Sequence, residues 1–94
     1  AEAPLETQKF SLEFMDSLRK LAKVCNPNAL TDLASAAELG LSACKMAEFN
    51  VRINIDHLSG EEIDALQTTS QNLLTECNQV MIDITKLYTN RLGW

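Results

Sequence analysis

Residues 30–54 read LTDLASAAELGLSACKMAEFNVRIN, and apolar or small side chains fall on almost every side of the helix they would form. One row of that helix, Ala36, Gly40, Ala43 and Ala47, is small enough to let a second helix approach closely. Glycine inside a helix costs about 1 kcal/mol relative to alanine, so close packing has to compensate for Gly40. Other sides carry Leu33, Ala37, Leu41, Cys44 and Val51, and also Leu39, Met46 and Ile53. Only Glu38, Lys45, Glu48 and Arg52 read as solvent-directed. Two neighbouring helices cover only part of such a surface, which predicts further cover from another subunit, another polypeptide or another part of the protein.

The flanking sequence predicts two more helices. Pro4 suits a first helical turn, and Leu5, Phe10, Phe14, Leu18, Leu21 and Cys25 follow at helical spacing. Asn26-Pro27-Asn28 ends that run, giving a first helix over 4–24. Thr31 is the expected N-cap of the second helix, with Asp32 just inside its positive end and Ile55 near its finish. Ser59 and Glu62 form an S-x-x-E capping box for the third helix. Within it Ile63, Leu66, Ser70, Leu73, Cys77, Val80, Ile84 and Leu87 repeat in steps of three and four, and Leu74, Met81 and Tyr88 widen the seam. The expected fold is all-α: three long antiparallel helices, up-down-up, crossing at about 20°, as part of a larger helical bundle or dimer.

Ninety-four residues make one domain at most. A net charge of −5 provides no basic face for a phosphate backbone, so nucleic acid is not an expected partner. The apolar runs are far shorter than the ~20 residues of a membrane span, and no apolar signal core opens the sequence. A soluble, cytoplasmic chain is the expectation. Three cysteines, Cys25, Cys44 and Cys77, lack metal-site or redox spacing and read as buried thiols, with no metal expected. His57, the single histidine, falls in a connection and reads as a loop residue. Trp94 could dock on a partner or fray.

Asp32 and Asn50 are separated by 18 residues, about five helical turns, so they share a side of the helix about 27 Å apart. Asn54 lies one turn beyond Asn50. Carboxamides inside an apolar pattern need hydrogen-bond partners, from protein or ligand.

The segment NPNALTDLASAAELGLSACKMAEFNVRIN resembles the formiminotransferase-cyclodeaminase family in its cyclodeaminase domain. The likeness rests on Thr31-Asp32, the alanine-rich helix, and the "NVxIN" ending at Asn50, Val51, Ile53 and Asn54. It extends upstream through APLETQKFSLEFMDSLRKLAKVCN and downstream to the last helix. The resemblance implies an all-helical, dimeric enzyme of one-carbon metabolism whose substrate is a tetrahydrofolate derivative. Members convert formimino-tetrahydrofolate to methenyl-tetrahydrofolate with release of ammonia, in vertebrates within histidine degradation. Bacterial relatives are methenyl-tetrahydrofolate cyclohydrolases.

Such chemistry needs a proton donor and acceptor, and Asp32 is the expected catalytic group. Asn50, Asn54 and Arg52 are the expected substrate-binding residues, with Lys45 a further cation for a glutamate-conjugated folate. The family domain is about twice this length, and its Gly-rich "PGGGS"-like and acidic "D-x-D/E-A-x-x-F"-like segments are absent from these residues. The resemblance therefore implies the second half of the domain, completed by a second copy or a complementary chain. A non-catalytic helical module that keeps the family's assembly surface is the alternative.

Overall fold

The computed structural model describes residues 2–55 and 58–94 and contains three long helices and one short turn of 3-10 helix. Helix α1 spans Glu2–Ala22, α2 spans Leu30–Ile53 and α3 spans Gly60–Leu92. His57 lies outside the described residues. The molecule is a rod of 50 × 17 × 16 Å, its long dimension matching the ~1.5 Å rise per residue of the 33-residue α3.

Pro4 sits in the first turn of α1, as expected. The chain leaves α1 through tightened bonds from Val24 N–H and Cys25 N–H to Leu21 O, at 3.0 and 2.9 Å. Asn26 is extended, as a residue before proline tends to be, and its side chain accepts from the Asn28 N–H at 2.9 Å. Pro27–Ala29 then forms the 3-10 turn, which runs directly into α2. The expected cap at Thr31 is therefore corrected. The residue before α2 is Ala29, with no side-chain cap, and Thr31 lies inside the helix, where its carbonyl accepts from Ser35 Oγ at 2.9 Å. The capping role has moved to Asn26, because helical dihedrals begin upstream of Leu30.

At α3 the capping box forms as read: Glu62 N–H donates to Ser59 Oγ at 3.2 Å, and Ser59 N–H donates to the Glu62 carboxylate at 3.0 Å. Its other end closes on Gly93 at φ 71°, a left-handed position that suits glycine. Beyond it, Trp94 N–H bonds Thr89 O at 2.9 Å, and its ring meets Tyr88 edge-on at 5.9 Å.

Side-chain pairings give the topology. Gln8 meets Cys44 and Gly40 meets Met15, so α1 and α2 are antiparallel. Gln8 meets Ser70, Arg19 meets Asp83 and Arg91 meets Ala22 O, so α1 and α3 run parallel. Glu48 meets Gln71, setting α2 against α3. The arrangement is the expected up-down-up bundle. Met15, Leu30, Ala37, Cys44, Cys77 and Ile84 are fully buried where the three faces meet. Each large apolar side chain there contributes about 1.5–3 kcal/mol.

Gly40 explains the small row on α2. A Cβ there would stand 2.9 Å from Met15 Cγ and 3.3 Å from Phe14 Cδ2, so the row admits α1. Outside the core, Phe10, Phe14, Leu21 and Val24 of α1 and Leu39, Met46, Phe49 and Ile53 of α2 are exposed. Both sets advance in helical steps of three and four or their sums. Thr7, on the Phe10 side of α1, lines the same groove as Met46, so the two rows share one face of the molecule.

Candidate functional site

One layer of the bundle is polar. Gln8 is fully buried in α1, and its Nε2 donates to Ser70 O at 3.2 Å and Cys44 O at 3.4 Å. In return Ser70 Oγ donates to Gln8 Oε1 at 2.8 Å. Cys44 and Cys77 are buried beside this layer. The hydrogen bond to Cys44, reinforced by burial, pushes the Cys77 thiol up and keeps it protonated. Cys25 is only half-buried, which corrects its reading as a core thiol.

One turn along α2 from Cys44 is Glu48, whose residue exposure is 1%. The expectation that it faces solvent is thus overturned. The row Leu30, Leu33, Ala37, Leu41, Cys44, Glu48, Val51 is the buried side of α2, and Glu48 occupies its place on that row despite its charge. Oε1 accepts from Arg52 Nε at 2.5 Å and from Gln71 Nε2 at 2.6 Å. Among the described residues no group donates to the buried Oε2. Glu48 is one of the residues lining a cleft of about 230 Å³ between α2 and α3, with Val51, Arg52, Gln67, Ser70 and Gln71.

Asp32 is exposed in the first turn of α2, at the far end from Glu48. Asn50 is exposed and lines a groove of about 430 Å³ toward α1, with Ala3, Pro4, Thr7, Ala43, Met46 and Ala47. Asn54 is the exposed C-cap of α2, and its Nδ2 donates to Asn50 O at 2.9 Å. The two carboxamides are therefore not core groups. They stand where the last turn of α2 meets solvent, and water can satisfy what the backbone does not. Arg52 is exposed and engaged with Glu48, and Lys45 is exposed. The structure thus gathers Asn50, Arg52 and Asn54 at one end of α2 with Glu48, and leaves Asp32 at the other.

A second polar group ties α1 to α3. Arg19 bonds Asp83 at 2.8 Å and also pairs with Asp16, which Lys20 approaches at 3.4 Å. The Arg19 hydrogen bonds are the main reason both carboxyls are held below their ordinary range. Among the described residues no group of three or more His, Cys, Asp or Glu converges as a metal site would require, and no helix is long and apolar enough to cross a membrane.

A family model described as formiminotransferase-cyclodeaminase matches residues 1–72. The chain belongs to that family. Membership associates it with folate one-carbon chemistry. No curated protein and no solved structure matches it.

For a formiminotransferase-cyclodeaminase relative, the boundaries of the match are informative. It takes in α1, α2 and the first turns of α3, so every residue of the polar layer and the Glu48 cleft lies inside it, as do Asp32, Asn50, Arg52 and Asn54. It ends within α3, before Leu73. The apolar C-terminal seam from Cys77 onward lies outside the matched segment.

Proposed function

We propose that this cyclodeaminase-family chain is part of a folate one-carbon enzyme. Its reaction is conversion of formimino-tetrahydrofolate to methenyl-tetrahydrofolate with ammonia release, or interconversion of methenyl- and formyl-tetrahydrofolate. The single observation that carries this reading is the family match over residues 1–72. In ring closure the attacking nitrogen loses a proton while the departing amine gains one, a transfer suited to a carboxylate at the reacting centre. Asp32 takes that role, and Asn50, Asn54 and Arg52 orient the polar heterocycle and its conjugated carboxylates.

Asp32 and Asn50 are about 27 Å apart along α2, longer than the reacting heterocycle. One substrate then meets both groups only when they come from different polypeptides, and completion by a second copy or a complementary chain supplies that arrangement. The direct test follows methenyl-tetrahydrofolate by absorbance with the chain alone and with any co-purifying partner. Formation of the product is expected in the assembled form. Absence of turnover and of folate binding in both preparations overturns the enzymatic reading. Within an active assembly, Asp32→Asn lowers kcat by at least about 100-fold if the carboxylate moves the proton; unchanged kinetics reduce Asp32 to a residue that favours the helix start.

The exposed apolar face of α1 and α2 favours a second reading, a helical interaction module without chemistry. Self-association or partner binding that persists without folate binding separates the two.

A further inference from the structure

Two rows of side chains lie on the face shared by α1 and α2, and both advance alternately by four and three residues. On α2 the row is Asp32, Ala36, Leu39, Ala43, Met46 and Asn50, with Leu39 72% and Met46 59% exposed. On α1 it is Ala3, Thr7, Phe10, Phe14, Ser17 and Leu21. Such spacing is that of a coiled-coil seam, and the bundle does not use it for its own core.

A two-fold axis pairs residue i with residue j and j with i, so all pairs along one helix share a midpoint. About a midpoint at position 41, α2 meets an antiparallel copy of itself with Leu39 against Ala43, Met46 against Ala36, and Asp32 against Asn50. Each large side chain faces a small one, and the carboxylate faces a carboxamide that can donate to it. A slip of one heptad still sets large against small, but it leaves Asp32 against Ala43 in one direction and Asn50 against Leu39 in the other. On α1 a midpoint at position 12 sets Phe10 against Phe14, Thr7 against Ser17 and Ala3 against Leu21.

The two midpoints fall at one level of the rod. Gly40 packs beside Phe14 and Met15, and Gln8 reaches Cys44 O, so position 41 of α2 stands opposite the stretch of α1 between Ser11 and Glu13. One axis, across the rod and in the plane of the face, therefore satisfies both rows. We propose that a second copy of the chain docks on this face about that axis, placing Asp32 of each copy beside Asn50 of the other. The inference rests on the completion by a second copy proposed above and gives it a register, with residues of both copies at each end of the seam. The rows cover about 30 Å of a rod 17 Å wide, so docking covers about 500 Å² of each copy and about 1,000 Å² in total, the lower limit for a specific interface. Asp32 is the one charged side chain in the two rows, so chains of net charge −5 meet here with little repulsion at the contact itself.

The test uses the full chain with Cys25→Ser, which removes the half-buried thiol. Leu39→Cys chains are mixed with Ala43→Cys chains in a glutathione redox buffer, and the linked peptides are identified by mass spectrometry. The expected main product joins position 39 of one chain to position 43 of another. A spin label on Thr31→Cys checks the register without touching the seam. Its expected separation from the label on the second copy is about 30 Å along the rod; a one-heptad slip changes this by about 10 Å, and parallel pairing brings the labels together. Main products joining 39 to 39 or 43 to 43, or a label separation of a slipped or parallel pair, overturn the proposal while leaving association with a second copy in place. A single-copy mass by sedimentation overturns both. Neither readout involves folate, so the enzymatic reading stands or falls separately.

Discussion

Glu48 places a carboxylate where the rest of its row is Leu33, Ala37, Leu41, Cys44 and Val51, and among the described residues nothing donates to one of its oxygens. Buried ion pairs of this kind seldom stabilise a fold, because desolvation offsets attraction. Replacing the whole group and removing only its partner should therefore act in opposite directions. Glu48→Leu is expected to leave the unfolding free energy unchanged or raise it by up to about 2 kcal/mol, whereas Arg52→Ala lowers it by about 1 kcal/mol, since Arg52 is largely exposed. Urea denaturation of both variants checks this, and a Glu48→Leu chain clearly less stable than the parent contradicts it. Glu48 also shows why part of the site was hidden in the sequence. Its spacing from Cys44 and Val51 placed it on the buried row, but its charge pointed to solvent, and only the structure shows Arg52 and Gln71 making burial tolerable. For Asn50 and Asn54 the conflict ran the other way. An apolar context suggested burial, yet much of that context is itself exposed: Met46, Phe49 and Ile53 face outward with them.

At the scale of elements, Gly40 governs how closely α1 and α2 approach. Gly40→Ala would gain about 1 kcal/mol in helix propensity. The new methyl group, however, meets the middle of the fully buried Met15 side chain, and overpacking of this kind costs about 1–3 kcal/mol. A net loss of about 1 kcal/mol by urea denaturation is expected, and a gain in stability would show that Met15 yields freely. Local and periodic signals made most of the elements legible: the Ser59–Glu62 box, the stop at Asn26-Pro27 and the seam of α3 all stand where the sequence suggested. Thr31 was misread because a threonine's capacity to cap does not fix where helical dihedrals begin. Whether a threonine begins a helix depends on the backbone upstream, and here the 3-10 turn of Pro27–Ala29 had already taken helical dihedrals.

At the scale of the whole molecule, Arg19 joins the parallel helices α1 and α3 through Asp16 and Asp83. Both carboxyls are lowered from 3.8, principally by their hydrogen bonds with Arg19. A depressed carboxyl binds its proton less readily when folded than when unfolded, so its contribution is complete above about pH 4 and fades as pH falls through the folded values. Acid unfolding followed by circular dichroism should therefore respond to Arg19→Ala below pH 4, where the variant loses less stability with falling pH than the parent. Parallel acid profiles exclude the linkage. The open face of α1 and α2 supplies the second prediction at this scale. Under the proposed association, sedimentation of the parent chain gives the mass of two copies, and Phe10→Glu combined with Met46→Glu gives that of one. A single-copy mass for the parent at micromolar concentration removes the second copy from the proposal.

The layer of Gln8, Cys44 and Ser70 acts as an alignment key for the rod. Apolar seams repeat every seven residues, and by hydrophobic contact alone one helix can slide a heptad along another at modest loss. Gln8 has its full set of partners at one level only, where the Cys44 and Ser70 carbonyls and the Ser70 hydroxyl converge. A seven-residue slip of α1 along α3 would bring the carboxamide to Ile63 or Cys77, and along α2 to Ala37 or Val51. Of the side chains at those positions only the Cys77 thiol can donate, and it does so weakly, so the hydrogen bond that Ser70 Oγ makes is not replaced in kind and the buried amide is left poorly satisfied. The Gln8 and Ser70 side chains and the Cys44 and Ser70 carbonyls thus select one longitudinal arrangement from several that the apolar pattern would accept, the one in which Glu48 meets Gln71.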